Sequence, residues 1–262
     1  ESGKPMAVWM CHPAHPVTLR EDNLLFSADW VGYARQAVER RHPGTVALFA
    51  QGCAGNLVSW PHDGTFETAE QQGETFGEAV CSALESAGMS AAAEVACLSE
   101  DLRLPLLDPP LPEEARATLA QCRRTRDDHW EQENYGWRML LDGDIAWAER
   151  VVALAESRAT GLSVDHEVQA IRVGDFAAVG LDGEVFVEYA LNIARESPFP
   201  LTAVAAYSNG NVGYVPTAAA HERGGYEVDT AIRYYGTLML APECERLILE
   251  SAARLLTRLH RR

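Results

Sequence analysis

Two histidines, a carboxylate and three tyrosines stand out because each falls where a strand gives way to a loop. His12 and His15 lie in His12-Pro13-Ala14-His15-Pro16, just after an apolar run. Glu184 ends the sequence Leu181-Asp182-Gly183-Glu184, and Tyr207, Tyr214 and Tyr226 punctuate the turn-rich stretch 203–227. Imidazole nitrogen and carboxylate or phenolic oxygen gathered in one place suit zinc, a borderline ion that accepts both donor types. A fourth loop, Gln51-Gly52-Cys53-Ala54-Gly55-Asn56, is a glycine-rich turn after a strand, where backbone N–H groups can face an oxyanion. It lacks the Lys-Ser/Thr ending of a phosphate loop. Each residue alone also has a plain reading: a loop histidine before proline, an acidic helix-start residue, core tyrosines. No HExxH spacing ties the histidines and the glutamate together.

The elements that must position these residues alternate between the two periodicities. Residues 6–11 and 45–50 are short apolar runs suited to buried strands. Between them lies a helical pattern with Ser27 as its expected N-cap and Gly44 closing it, and a second helix is expected over 67–85. Residues 92–107 alternate as one or two strands. The Pro-rich segment after them opens a charged helix to about residue 133, followed by another over about 137–158, a helical pair spanning about 110–160 with a solvated face. A hairpin turned at Gly174-Asp175 follows, then a helix beginning at Glu184, the strand TAVAAY, the stretch 203–227, and an amphipathic helix over about 242–259. This is an α/β pattern of mixed sheets with flanking helices in one unit over 1–262. Its four candidate loops follow strand ends, where sites of α/β folds gather.

Composition narrows the classes of partner. The chain has 262 residues, 47% hydrophobic and 23% charged, enough for one sizeable core. A formal charge of −16 argues against nucleic acid or an anionic membrane, which need clustered Lys and Arg. Six dispersed cysteines without a CxxC pair point to free thiols in a reducing compartment, hence to the cytoplasm. No apolar run reaches the roughly 20 residues of a transmembrane helix.

HPVTLREDNLLFSADWVGYA, AQGCAGN, LDGEVFVEY and NGNVGYVPTAAAHERGGYE, in this order and at these intervals, resemble the neutral/alkaline (non-lysosomal) ceramidase family. The likeness is to the C-terminal part of the catalytic domain, as in smaller bacterial members without the Ig-like domain. It implies a zinc ion held by two His, one Glu and one Tyr, with a zinc-bound water attacking an N-acyl amide carbonyl. Carried over by motif, the resemblance makes His15, Glu184 and Tyr214 ligands and has Tyr226 hydrogen-bond the substrate carbonyl, while Tyr207 keeps its plain core reading. His15 is preferred to His12 because its segment keeps the family's interval to the Ser-x-Asp motif. The family's other zinc histidine, in an HxH segment that also supplies the base, and a substrate-binding Arg lie upstream of this sequence. The expectation is therefore a second polypeptide or an upstream segment bearing HxH, with His12 as the local substitute base. Gly55 stands where some members have serine, so the amides of Gly52, Cys53, Gly55 and Asn56 are left to line the substrate site. The resemblance implies an N-acylated small molecule or lipid amide as substrate. Two other readings stay open: an acyltransferase using the same zinc site, and a non-catalytic subunit completing a partner's fold.

Overall fold

A computed structural model describes residues 4–88, 93–131 and 134–261. Residues 92 and 133, expected at the ends of a strand and a helix, lie outside the described residues. The architecture is α/β, with mixed sheets and flanking helices. Strand β1 (Ala7–His12) pairs in parallel with β2 (Val46–Gln51), and α1 (Asp29–Arg41) and α2 (Phe66–Ser86) pack on one face of the pair. A four-stranded sheet of order β3 (Val95–Pro105), β4 (Ser163–Val173), β5 (Phe176–Leu181) and β7 (Leu201–Ala205) has antiparallel neighbours except for the parallel pair β5 and β7. Between its last two strands in sequence come β6 (Glu184–Val185) and α5 (Val187–Glu196). The chain continues through β8 (Tyr214–Val215), α6 (Ala218–Arg223), a π-turn at Tyr226–Thr230, α7 (Ile232–Tyr235) and α8 (Cys244–His260). Helices α3 (Pro112–His129) and α4 (Tyr135–Glu156) form the expected pair.

The main core lies between the four-stranded sheet and the helices α5 and α8. Ile248, Ala252, Leu255, Leu256 and Leu259 of α8 are buried against Leu104, Val168, Ala170 and Val179. Burial of each large aliphatic side chain stabilises the fold by about 1.5–3 kcal/mol, which is why the i, i+4, i+7 stripe fixes α8 on the sheet. The helical pair has a smaller core of its own, Ala115, Cys122, Trp147, Ala148, Val151 and Ala155. The arginines expected on its solvated face form exposed ion pairs, Arg123 with Glu149 and Arg126 with Asp142.

Three local expectations need correction. The strands β1 and β2 are buried on one face only, and Trp9, Val46 and Leu48 are exposed, because α1 and α2 cover a single side. The helix after residue 27 starts at Asp29 behind Ala28, so Ser27 is not its N-cap. Ser27 Oγ accepts the Asp29 amide, while the Asp29 carboxylate accepts the amides of Leu19 and Trp30 and ties the preceding loop to the helix. Finally, Glu184 does not begin a helix. Its amide donates to Gly213 O and the Phe186 amide to Val215 O, which makes Glu184–Val185 a short parallel strand against Tyr214–Val215. Helix α5 begins only after Phe186.

One core residue carries a pH dependence. His166, on β4, is 1% exposed, and among the described residues neither ring nitrogen has a hydrogen-bond partner. Burial lowers its pKa from 6.5 to about 4. The unfolded chain therefore binds this proton more readily than the folded one, so the contribution is complete above pH 6.5 and is lost as the pH falls toward 4. The loss is on the order of 3 kcal/mol, or roughly 6–12 °C in Tm. Melting curves between pH 7 and 4 are expected to show a shallower decline in His166→Leu than in the native chain.

Candidate functional site

Glu184 is held by two glycine turns. Gly183 (φ +92°) and Gly213 (φ +92°) precede the paired residues Glu184 and Tyr214, and a Cβ on Gly183 would lie 2.6 Å from Gly213 O. The register thus sets Glu184 beside Tyr214 although 30 residues separate them. Behind this pair, Asp182 accepts the Val212 amide at 2.9 Å, and a Cβ on Gly210 would crowd the Asp182 carboxylate.

His15 enters from the opposite side. Its amide donates to Leu57 O at 3.1 Å, and its carbonyl accepts Trp30 Nε1 at 3.3 Å, so the backbone is fixed before the ring does anything. His15 Nε2 lies 3.5 Å from Glu184 Oε2 and is buried, without a hydrogen-bond partner among the described residues. Burial lowers the imidazole pKa, against the opposing charges of Glu184 and Glu227, which favours the neutral ring that a metal ligand requires.

Two tyrosines close on the carboxylate. Tyr207 donates its hydroxyl to Glu184 Oε2 at 2.7 Å, and Tyr235 donates to Oε1. The Tyr214 ring meets Tyr226 and Tyr235 edge-to-face, with centroids 6.0 and 6.2 Å apart. Burial and then the Glu184 charge push the Tyr214 phenol upward, a direction that a divalent cation beside it would reverse. Tyr226 is 51% exposed at the rim, on the Gly225 turn (φ +119°).

The donors present fit zinc. An imidazole nitrogen without a hydrogen-bond partner and a carboxylate are donor types zinc takes, and the Tyr214 phenol adds an oxygen beside them. Among the described residues, no three His, Cys, Asp or Glu side chains gather.

The other residues singled out in the sequence fall elsewhere. The His12 ring lies against Phe76 (4.8 Å) and Trp30 (5.7 Å), lining a cavity of about 770 Å³ with Leu57 and Trp60. Among the described residues, neither a hydrogen bond nor a ring contact joins His12 to His15 or Glu184. The loop at 52–56 serves as a buttress. Gly52 donates to His12 O and Gly55 to Val185 O, so two of the amides expected to face a substrate are engaged by backbone carbonyls. A Cβ on Gly55 would sit 2.3 Å from Glu184 O. Cys53 is fully buried, and its thiol is pushed upward by that burial. Asn56 Oδ1 accepts the Val187 amide and its Nδ2 donates to Glu188, capping α5 from 131 residues away.

Sequence reasoning placed Tyr207 among the core tyrosines and did not reach Tyr235. Tyr207 did carry a signal, since it ends a strand just before Asn209-Gly210. Tyr235 carried none, lying on a single helical turn.

No protein-family model and no curated protein matches the chain. Solved structures do. A ceramidase complexed with C2 superposes with a TM-score of 0.66 at 17% identity, over 98% of this chain and 46% of that one. The neutral ceramidase from Pseudomonas aeruginosa gives 0.59 at 20% identity, over 97% and 44%. At such identities the likeness is one of fold: this chain spans less than half the length of those two ceramidase chains and folds as the part it covers.

Proposed function

We propose that the chain carries the His15, Glu184 and Tyr214 side of a zinc amidase site that hydrolyses an N-acyl amide to a carboxylic acid and an amine. The observation that carries this is the buried His15 Nε2, 3.5 Å from the Glu184 carboxylate, with the Tyr207 and Tyr235 hydroxyls donating to that carboxylate. The fold shared with ceramidases supports the choice of an amide substrate. Zinc, when bound, supplies Lewis acidity toward an acyl carbonyl and makes water more acidic. The chain's residues do the rest: His15, Glu184 and Tyr214 hold the ion, and Tyr226 at the rim donates to the carbonyl oxygen as negative charge builds on it. His12, turned toward Phe76 and Trp30, takes no part in this reading. A further donor comes from a segment or polypeptide outside these residues. Among the described residues, no helix is long and apolar enough to cross a membrane.

The test combines elemental analysis with product analysis on a fluorogenic N-dodecanoyl amide. Zinc bound by the purified chain, and amine release that chelation removes and zinc restores, are expected, with a partner polypeptide added where one copurifies. Transfer of the acyl group to an added amine in preference to water would replace hydrolysis by acyl transfer. Absence of zinc in every preparation would reduce the chain to a structural subunit and overturn the proposal.

A further inference from the structure

We propose that Trp147 of the helical pair is a positioning residue for the candidate site: it holds the segment 226–237 so that the Tyr235 hydroxyl meets the Glu184 carboxylate. Its effect on zinc rests on the reading above, whereas its effect on Tyr235 does not.

The segment that carries Tyr235 has little to fix it from within. Helix α7 is a single turn with no buried residue, set between a π-turn and Gly236 in the left-handed region (φ +66°). So short a helix does not hold its own shape in water. Backbone bonds from the Ala231 amide to Tyr226 O, the Tyr234 amide to Ala231 O and the Gly236 amide to Arg233 O nonetheless join residues 226–236 into one piece. Whatever anchors an end of that piece sets the tyrosines along it. One anchor is local: a Cβ on Gly213 would lie 2.9 Å from the Tyr235 ring, so the ring rests on bare backbone as its hydroxyl donates to Glu184.

The other anchor comes from α4. Asp144, Trp147 and Val151 recur at i, i+3 and i+7, which puts them on one face of that helix. Trp147 is buried, and its indole Nε1–H donates to Thr237 O at 2.7 Å, just beyond Gly236. Core packing alone would use the ring, whereas the donated N–H adds a fixed direction. The Arg233 guanidinium lies over the same indole, 5.4 Å from its centroid, and its Nη1 is 3.8 Å from Asp144 Oδ2. Leu238 completes the join by entering the core of the helical pair. The exposed pairs Arg116–Glu156, Arg123–Glu149 and Arg126–Asp142 tie α3 to α4, but the partly buried Asp144–Arg233 pair ties α4 to the segment that bears Tyr235.

Trp147→Phe keeps an aromatic ring in that core and removes the donor. Two readouts are needed. The first is carbon-13 NMR of ring-labelled tyrosine in the zinc-free chain, with signals assigned by their loss in Tyr235→Phe and Tyr189→Phe. In Trp147→Phe the Tyr235 signals are expected to move, while those of Tyr189, buried in the main core, stay. The second is zinc affinity, by competition with a chromophoric chelator, in a double-mutant cycle with Tyr235→Phe. Trp147→Phe is expected to lower the affinity about 3–10-fold, the factor of one neutral hydrogen bond, and to lower it no further once Tyr235→Phe is present. Ala155→Gly loosens the same core near the C-terminal end of α4, and is expected to lower the melting temperature while leaving both readouts at native. Unmoved Tyr235 signals in folded Trp147→Phe, or equal losses of affinity in both backgrounds, would overturn the proposal. So would Ala155→Gly reproducing both effects. If the native chain binds no zinc while the Tyr235 signals still move, the metal-site reading fails and the positioning role stands. If Trp147→Phe does not fold, Asp144→Asn, which removes the charge facing Arg233, is the second variant, judged by the same two readouts.

Discussion

Glu184→Gln is expected to lose zinc and amide hydrolysis together. The substitution removes the one anionic donor facing His15 Nε2 and replaces an acceptor oxygen by an NH2 group. Tyr207 and Tyr235 each donate to one carboxylate oxygen, so whichever way the amide lies, an NH2 group meets a hydroxyl that was donating. A buried group left without its partner costs about 1–3 kcal/mol, and that cost adds to the missing charge. Zinc affinity is therefore expected to fall by more than the ~10–100-fold typical of an outer-shell change, and activity with it. Elemental analysis of the purified variant checks this. Zinc retained at the native stoichiometry would remove Glu184 from the ligand set.

Tyr226→Phe is expected to separate binding from rate. Tyr226 is half-exposed, and its ring contact with Tyr214 survives loss of the hydroxyl. It opens a π-turn behind a glycine in a positive-φ conformation, local geometry that recurs at functional sites. The metal and KM are expected to stay near native while kcat falls roughly 10²–10³-fold, the size of the effect of removing one oxyanion donor. Steady-state kinetics on protein of measured zinc content decides it, and an unchanged kcat would place the oxyanion donor elsewhere.

The sequence shows the strands and long helices because each is a run of one periodicity, and it points to His15, Glu184, Tyr214 and Tyr226 through the motifs that carry the ceramidase resemblance. What it hides is pairing. Strands β6 and β8 have two residues each, too short to show alternation, so the contact between Glu184 and Tyr214 follows from Gly183 and Gly213 turning the chain. Tyr207 reads as core because an aromatic at a strand end packs in most folds, and its left-handed backbone is not written in its residue type. The loop at 52–56 misleads for a physical reason. A glycine admitting an anion and a glycine admitting a carbonyl look identical in sequence, and at Gly55 the visitor is Glu184 O.

The small parallel sheet has a consequence of another kind. In that pair the backbone groups of Ala47 point away from β1, and two side chains of α1 occupy them: Arg35 Nε donates to Ala47 O, and Ala47 N donates to Glu39. The mutual ion pair of Arg35 and Glu39 spans 4.0 Å in an exposed setting and adds little to stability. Their value lies in colloidal behaviour. By occupying ladder positions on β2 they deny a second chain the template that an open strand edge offers, so this helix protects against aggregation as well as covering a core.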